Sequence, residues 1–398
     1  MLVVNIKLRN CLRELLLAIA ILFNSICFFI SELTPSVSDF GDALVVVMIL
    51  IGTITCFMDK KIKVRTFLLI NGTVLLWILG SFVVYDFHQH ILFLLTNFLV
   101  WGIFIAFYIT LEYDVQKTLN IALLMASVVL LVDFFYKGPN VYDEMTWTYS
   151  VFPCMCVSFA HMIYCKGQLG KLRWLLYLPA ILMLFRYLVG ANRGGWVSLI
   201  VLAFLLTAKK GEKDGTTLRN RVVWSLLFLT AIVFAVLFYD WIIITLYKIM
   251  DSQGIRIYSI DKMYRGILAD DVTNNRVELY QYAWNGFLAS PIWGNGIGSF
   301  VVKYGTWPHN FVLQLLYEGG ILMFLLVVIP LAKIVLFVLK SNAIPPIDYA
   351  MFVCLFAISV PKVLVTSELW TVQCFWLLLA FGMMRMPYFK NNMLRLKR

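Results

Sequence analysis

Residues 310–339 read NFVLQLLYEGGILMFLLVVIPLAKIVLFVL, a run in which Glu318 and Lys333 are the only charged side chains. About 20 apolar residues cross the roughly 30 Å hydrocarbon core of a bilayer, so this run alone is long enough to span one. Backbone in lipid must satisfy its own N–H and C=O groups, and a helix does so within the segment. Working outward, runs of the same kind occupy residues 12–31, 42–58, 66–85, 91–111, 118–135, 148–165, 174–190, 196–208, 222–246, 349–366 and 371–385. The expected architecture is an all-α polytopic membrane protein with about 12 transmembrane helices. It forms a single transmembrane domain over residues 1–398, with both termini on the cytoplasmic side. The first run carries Arg13 and Glu14 at its start and no small-residue cleavage site behind it, which predicts a retained span and not a removed signal.

Composition agrees. The chain is 62% hydrophobic and 14% charged, with a mean hydropathy of +0.85, whereas a soluble domain is roughly 45–50% apolar and 25% charged. A net charge of +11 raises nucleic acid as a partner, but the placement of the cations answers that. Of the 33 Lys and Arg residues, 23 fall on alternate connections or their flanks, among them Lys60, Lys61, Lys63, Arg65, Lys209, Lys210, Lys213, Arg385 and Arg395. The opposite connections near 31–41, 86–90 and 366–371 contain none. This is the asymmetry of a membrane protein with its cations inside, so the expected partner is the lipid bilayer and nucleic acid is excluded. The eight cysteines lie in or beside apolar runs, with Cys154 and Cys156 the only close pair, and read as buried thiols.

One connection breaks the charge rule. Residues 247–308, between the ninth and tenth expected spans on the extracytoplasmic side, hold Lys248, Arg256, Lys262, Arg265, Arg276 and Lys303. A long loop of that kind is a usual home for function. Within it Asn275 is placed to cap a helix, with Glu278 three residues on to close a capping box. Val277, Tyr280, Trp284, Phe287 and Leu288 then recur at helical spacing, an apolar stripe suited to the membrane rim, and the helix is expected to end before Pro291. Arg276 would occupy the first turn, where free N–H groups already favour an anion, so its guanidinium reads as a phosphate contact or as a headgroup arginine. Pro291-Ile292-Trp293-Gly294-Asn295-Gly296-Ile297-Gly298 lacks the preceding strand of a dinucleotide fingerprint and reads as a glycine-rich turn.

Further polar residues share that side. Arg193 sits in Gly190-Ala191-Asn192-Arg193-Gly194-Gly195-Trp196, a tight connection whose glycines let backbone approach a ligand closely. Arg186, seven residues earlier, lies deeper in a span. An arginine there costs about 2.5–3.5 kcal/mol on insertion scales, so it is paired or lines a polar cavity, and both roles stay open. His309 follows Pro308 at the mouth of the tenth span. Glu318 lies on the opposite face about 13–14 Å deeper, so the two form no dyad. Glu318 is expected to meet Arg186, Lys362 or another helix's polar group. His88 and His90 beside Asp86 form a weak His-x-His with no third ligand nearby.

The run Asn192-Arg193-Gly194-Gly195-Trp196, then Asn275-Arg276, then Pro291-x-x-Gly294-x-Gly296-x-Gly298, then Pro308-His309-Asn310-x-x-Leu313-Gln314-x-x-x-Glu318-x-Gly320 resembles the O-antigen ligase and O-antigen polymerase superfamily of bacterial envelopes. The resemblance covers roughly residues 174–330. It implies a periplasmic active site in the inner membrane that transfers a glycan from undecaprenyl diphosphate to a hydroxyl. The acceptor is another lipid-linked repeat unit in a polymerase, with a possible chain-length regulator as partner, or lipid A-core in a ligase. Carried over residue by residue, His309 matches the family's histidine and Arg193 and Arg276 its extracytoplasmic arginines. Arg186 and Asn310 join the expected substrate contacts, and Gly194, Gly195, Glu318 and Gly320 support them. Met323 stands where the ligase pattern often has a small or hydroxyl residue, and Pro308 with Glu318-x-Gly320 leans towards polymerase. No Asp-x-Asp metal motif occurs in the chain, so transfer is expected to be metal-independent and inverting, with no cofactor. Two rivals differ in prediction. A secondary transporter would place its polar residues at the midplane of two related halves, whereas here they crowd one rim. A different lipid-linked glycosyltransferase would use Glu32, Asp39 and Asp42 of the first extracytoplasmic loop.

Overall fold

The computed structural model describes residues 2–34, 40–56, 65–86, 88–111, 113–135, 144–165, 173–208, 238–254, 257–269, 276–340 and 344–396. Among them every regular element is helical. The helices are α1 (Leu2–Leu33), α2 (Phe40–Cys56), α3 (Arg65–Val84), α4 (Gln89–Tyr108), α5 (Val115–Phe135), α6 (Glu144–Tyr164), α7 (Arg173–Gly190) and α8 (Arg193–Ala208). After residues 209–237 come α9 (Tyr239–Ser252), α10 (Tyr258–Leu268), α11 (Arg276–Ala289), α12 (Ser299–Tyr304), α13 (Phe311–Lys340), α14 (Pro346–Val365) and α15 (Gln373–Leu396).

Among the described residues five stretches are long and apolar enough to cross a membrane: Leu12–Ser31, Gln89–Tyr108, Val115–Phe135, Phe311–Leu339 and Pro346–Val365. Phe40–Thr53, Leu69–Val84, Trp174–Gly190, Arg193–Ala208 and Gln373–Arg385 are apolar but only 10–17 residues long. At 1.5 Å per residue such helices reach about 15–26 Å, short of the hydrocarbon thickness. Helix length therefore supports an all-α membrane protein, but not the expected count of about twelve crossings. The expected ninth span, 222–246, lies mostly outside the described residues, and α9 runs to Ser252, past the expected edge of the 247–308 loop. Among its described residues that loop holds α10, α11 and α12 as well as the end of α9.

Helix α14 lies at the centre, packed against α6, α8 and α15, while α1 packs against α2, α5 and α6. From Tyr349 to Leu355 every side chain of α14 is buried. The outer faces are apolar too: Leu50, Leu76, Val83 and Phe185 are more than half exposed. Such a surface is a liability in water and costs nothing against lipid tails, where helices associate by close packing instead.

Helix α13 is broken where a membrane helix is least expected to be. Gly320 has φ 62° and ψ −164°, which removes the regular hydrogen bonds around it. The glycine-rich turn repairs the gap: Asn295 N–H donates to Tyr317 O (2.8 Å), Gly296 N–H to Glu318 O (2.8 Å), and Ile321 N–H to Pro291 O (2.8 Å). Non-helical backbone at such a depth is tolerated where protein covers and satisfies it. A Cβ on Gly294 would overlap the backbone of Glu318 and Gly319, and one on Gly320 the carbonyl of Ile292. The two chains approach that closely only because both residues are glycine. Helix α3 closes the turn from the other side, with Tyr85 Oη donating to Asn295 O (2.7 Å) and Ile297 N–H to Ser81 Oγ (2.7 Å).

Candidate functional site

A helix leaves its last carbonyls without partners inside the helix, and the end of α14 gathers side chains from three other segments, two of them on its carbonyls. Arg276, the first residue of α11, donates from Nη1 to Val365 O at 2.7 Å. Thr366 O receives Trp307 Nε1 at 2.7 Å and lies 2.8 Å from His309 Nδ1. Thr366 Oγ1 lies 2.6 Å from the Tyr149 hydroxyl of α6.

The bond to Thr366 settles the histidine's tautomer. A carbonyl oxygen only accepts, so Nδ1 carries the hydrogen and Nε2 of the neutral ring holds a free lone pair. Burial pushes the His309 pKa down, the charge of Arg276 lowers it further, and the Thr366 hydrogen bond opposes both. The ring is therefore neutral at neutral pH, the form that accepts a proton. His309 has φ 53°, a left-handed backbone uncommon outside glycine, and its neighbour explains how it is held. Asn310 Oδ1 accepts from Val312 N–H (3.0 Å) and Leu313 N–H (3.3 Å), so Asn310 is the N-cap of α13. The side-chain oxygen of Asn310 is thus spent on the helix, which leaves Nδ2 for the expected substrate contact.

The amino end of α8 reaches the same place. Asn192 Oδ1 accepts from Gly195 N–H at 2.8 Å, capping α8. A Cβ on Gly194 would overlap the Tyr149 hydroxyl, and one on Gly195 the Thr148 methyl. The paired glycines therefore serve the approach of α8 to protein side chains at Tyr149 and Thr366, not only to a ligand. The adjacent Arg193 is half-buried, with Nη2 3.3 Å from Lys262 O of α10.

Two expected residues lie elsewhere. Arg186 Nη1 donates to Asp133 O at 2.6 Å and stands 3.3 Å from Asp133 Oδ2, with its guanidinium over the Trp147 ring. It pairs with α5 and not with Glu318, which takes the third of its expected partners, a polar group of another helical segment. Glu318 is fully buried. It accepts from Trp370 Nε1 at 2.6 Å and from Gln314 Nε2 at 3.3 Å. Gln314 Oε1 in turn accepts from Leu369 N–H (3.0 Å), and Glu368 Oε1 lies 3.1 Å from His90 Nε2. His90 is thus an acid's partner, while His88 Nδ1 accepts from His90 N–H and caps α4. The capping role expected of Asn275 lies outside the described residues, whereas Glu278 does stand in the first turn of α11 and the helix does end before Pro291.

Sequence reading missed the segment that organises all of this, residues 365–370. It reads as a short cation-free connection, and the signal within it is its content: Thr366, Glu368 and Trp370 are polar or polar-tipped residues between two apolar helices. Tyr149 and Trp307 gave no signal, since aromatic residues are common throughout the chain.

No curated protein and no solved structure gives a match to the chain. Residues 178–328 do match the family described as O-Antigen ligase, a segment holding Arg186, Arg193, Arg276, His309, Glu318 and Gly320 and stopping before Thr366. Over that segment the chain is similar to the O-antigen ligase family, which supports a membrane protein of the O-antigen ligase and polymerase type.

Proposed function

We propose that the protein is an inverting membrane glycosyltransferase that moves an oligo- or polysaccharide from undecaprenyl diphosphate to an acceptor hydroxyl, acting as a surface-polysaccharide polymerase. The reading includes about twelve crossings, an inner-membrane location and a site facing the periplasm. The observation that carries it is the His309 imidazole, its Nδ1 committed to Thr366 O at 2.8 Å and Arg276 bound to the neighbouring carbonyl.

The bond to be broken joins an anomeric carbon to a diphosphate, already a good leaving group. Catalysis then needs a base for the acceptor and positive charge for the diphosphate. His309 Nε2 takes the hydroxyl proton as the acceptor oxygen attacks the anomeric carbon from the face opposite the leaving oxygen. The electron pair of the broken C–O bond leaves on the diphosphate. Arg276 and Arg193 hold that group through charge-assisted hydrogen bonds, and neither loses its charge at working pH. Bond order is conserved and no electron carrier enters.

A second reading, ligation of the glycan to lipid A-core, is favoured by the description of the matching family. Purified protein given lipid-linked donor alone separates the two. Lengthening of the lipid-linked chain, with the anomeric configuration inverted and the rate unchanged by a chelator, is the outcome expected of a polymerase. Transfer only when lipid A-core is added identifies a ligase, and a chelator-sensitive rate removes the metal-free mechanism.

A further inference from the structure

Two cations of the bundle have acids beside them. Arg186 lies 3.3 Å from Asp133, and Arg385 lies 3.7 Å from Asp348. Lys362 differs. It sits on α14 one turn before Thr366, whose N–H bonds to the Lys362 carbonyl at 2.9 Å. Its Nζ lies 5.1 Å from the centre of the Tyr149 ring, the same tyrosine whose hydroxyl meets Thr366 Oγ1 and whose position leaves no room for a side chain at Gly194. Among the described residues no carboxylate stands within ion-pair distance of Lys362. Its other ionisable neighbour is Cys374, a thiol without formal charge at neutral pH.

An aromatic face offers an ammonium a quadrupole and no compensating charge. An intramembrane cation without a counter-ion is costly and marks a functional site. What surrounds this one is the Tyr149–Thr366 pair, on which α6, α8, α14 and the His309 segment converge, with Arg276 on the next carbonyl. Positive charge thus collects at that junction without a described acid beside it, a setting in which an anionic ligand would be held.

We infer that Lys362 is a further diphosphate-binding residue, forming the floor of the anion site behind Tyr149 and Thr366. This rests on the transfer reaction proposed above, whose donor carries a diphosphate. It lies beyond the family match, which ends at residue 328. Arg276 and Arg193 would hold the outer oxygens and Lys362 the inner ones, so that charge leaving the anomeric carbon meets a cation on each side.

The test uses the full chain in phosphatidylcholine nanodiscs with inorganic pyrophosphate as the probe. Wild type is expected to bind it. Lys362→Met is expected to weaken binding roughly 10- to 100-fold, the loss of one charge-assisted contact. Lys333→Met, which removes an exposed cation of α13, is expected to leave binding unchanged. Wild-type affinity in Lys362→Met alongside weakened binding in Arg276→Ala overturns the role of Lys362 and keeps the diphosphate site. No binding by wild type overturns both. Loss of pyrophosphate binding when the nanodisc lipid is phosphatidylglycerol makes the occupant a lipid headgroup, which also overturns the assignment. Should Lys362→Met fail to fold, amine labelling of wild type followed by mass spectrometry decides: pyrophosphate is expected to slow modification of Lys362 several-fold. A rate unchanged by pyrophosphate, or no reaction in either case, overturns the inference, because a side chain lining the site must be reachable from it.

Discussion

Two polar clusters lie on either side of the 365–370 segment, and they are opposites. On one side Glu318 and Glu368 are buried, and each has a protein partner, Trp370 and Gln314 for the first and His90 for the second. On the other side Arg276 and His309 rest on backbone carbonyls and Lys362 on an aromatic ring. Among the described residues, none of these three has a carboxylate within ion-pair distance. Charge that finds its complement within the chain belongs to the scaffold. Charge held in place by neutral partners is available to something that arrives from outside. The acidic side is thus read as support for the segment and the cationic side as the place of chemistry.

Five substitutions or conditions would break or sharpen that contrast. His309→Ala is expected to lower turnover roughly 100- to 10,000-fold, the usual worth of a positioned base, with the protein still folded. Retained turnover in purified protein would remove the base from the scheme. Arg276→Ala is expected to cost about 100- to 1,000-fold in kcat/KM, as loss of a preorganised charge at a leaving group does. Arg276→Lys should stay well below wild type, because an ammonium lacks the planar fork. Glu318→Ala should act on the other ledger, lowering stability by about 1–3 kcal/mol through the unpaired Trp370 N–H, while turnover per folded molecule stays within a few-fold. If its turnover falls as far as that of His309→Ala without loss of folding, the acidic side is not scaffold. The smallest effect is with pH. The folded His309 holds a proton less readily than an ordinary histidine, so the neutral base persists below the ordinary value of about 6.5. The acid limb of kcat/KM is expected below that value, and stability should fall as pH drops through it, because the unfolded chain then binds the extra proton. A limb above the ordinary value would contradict the buried, Arg276-flanked ring.

Much of the fold was legible because hydropathy and helix length are local properties. Residues 310–339, 118–135 and 12–31 gave spans that reappear as apolar helices of membrane length. The crossing count was not legible, because short apolar runs such as Arg193–Ala208 satisfy the composition of a span without its length. At the site, Arg276 and His309 were found as unusual polar residues at helix mouths, and the structure brings both to adjacent carbonyls. Their organiser was missed because backbone carbonyls leave no mark in a sequence. Arg186 was left open between an ion pair and a ligand contact, and Glu318 was expected to meet a polar group of another segment; the partners found lie 53 and 52 residues away, and spacing along one helix says nothing about contacts between distant ones.

The seam between the glycine turn and the interrupted α13 has a mechanical consequence. The turn follows directly from α11, which carries Arg276 at its other end, and the helix it is sewn to begins just after His309. Guanidinium and imidazole therefore ride on one stiff bracket, and neither can swing without dragging the other. On the proposed reaction, a donor would meet two groups whose backbones are already tied together, so discrimination would rest on the shape of the incoming glycan more than on rearrangement of the protein.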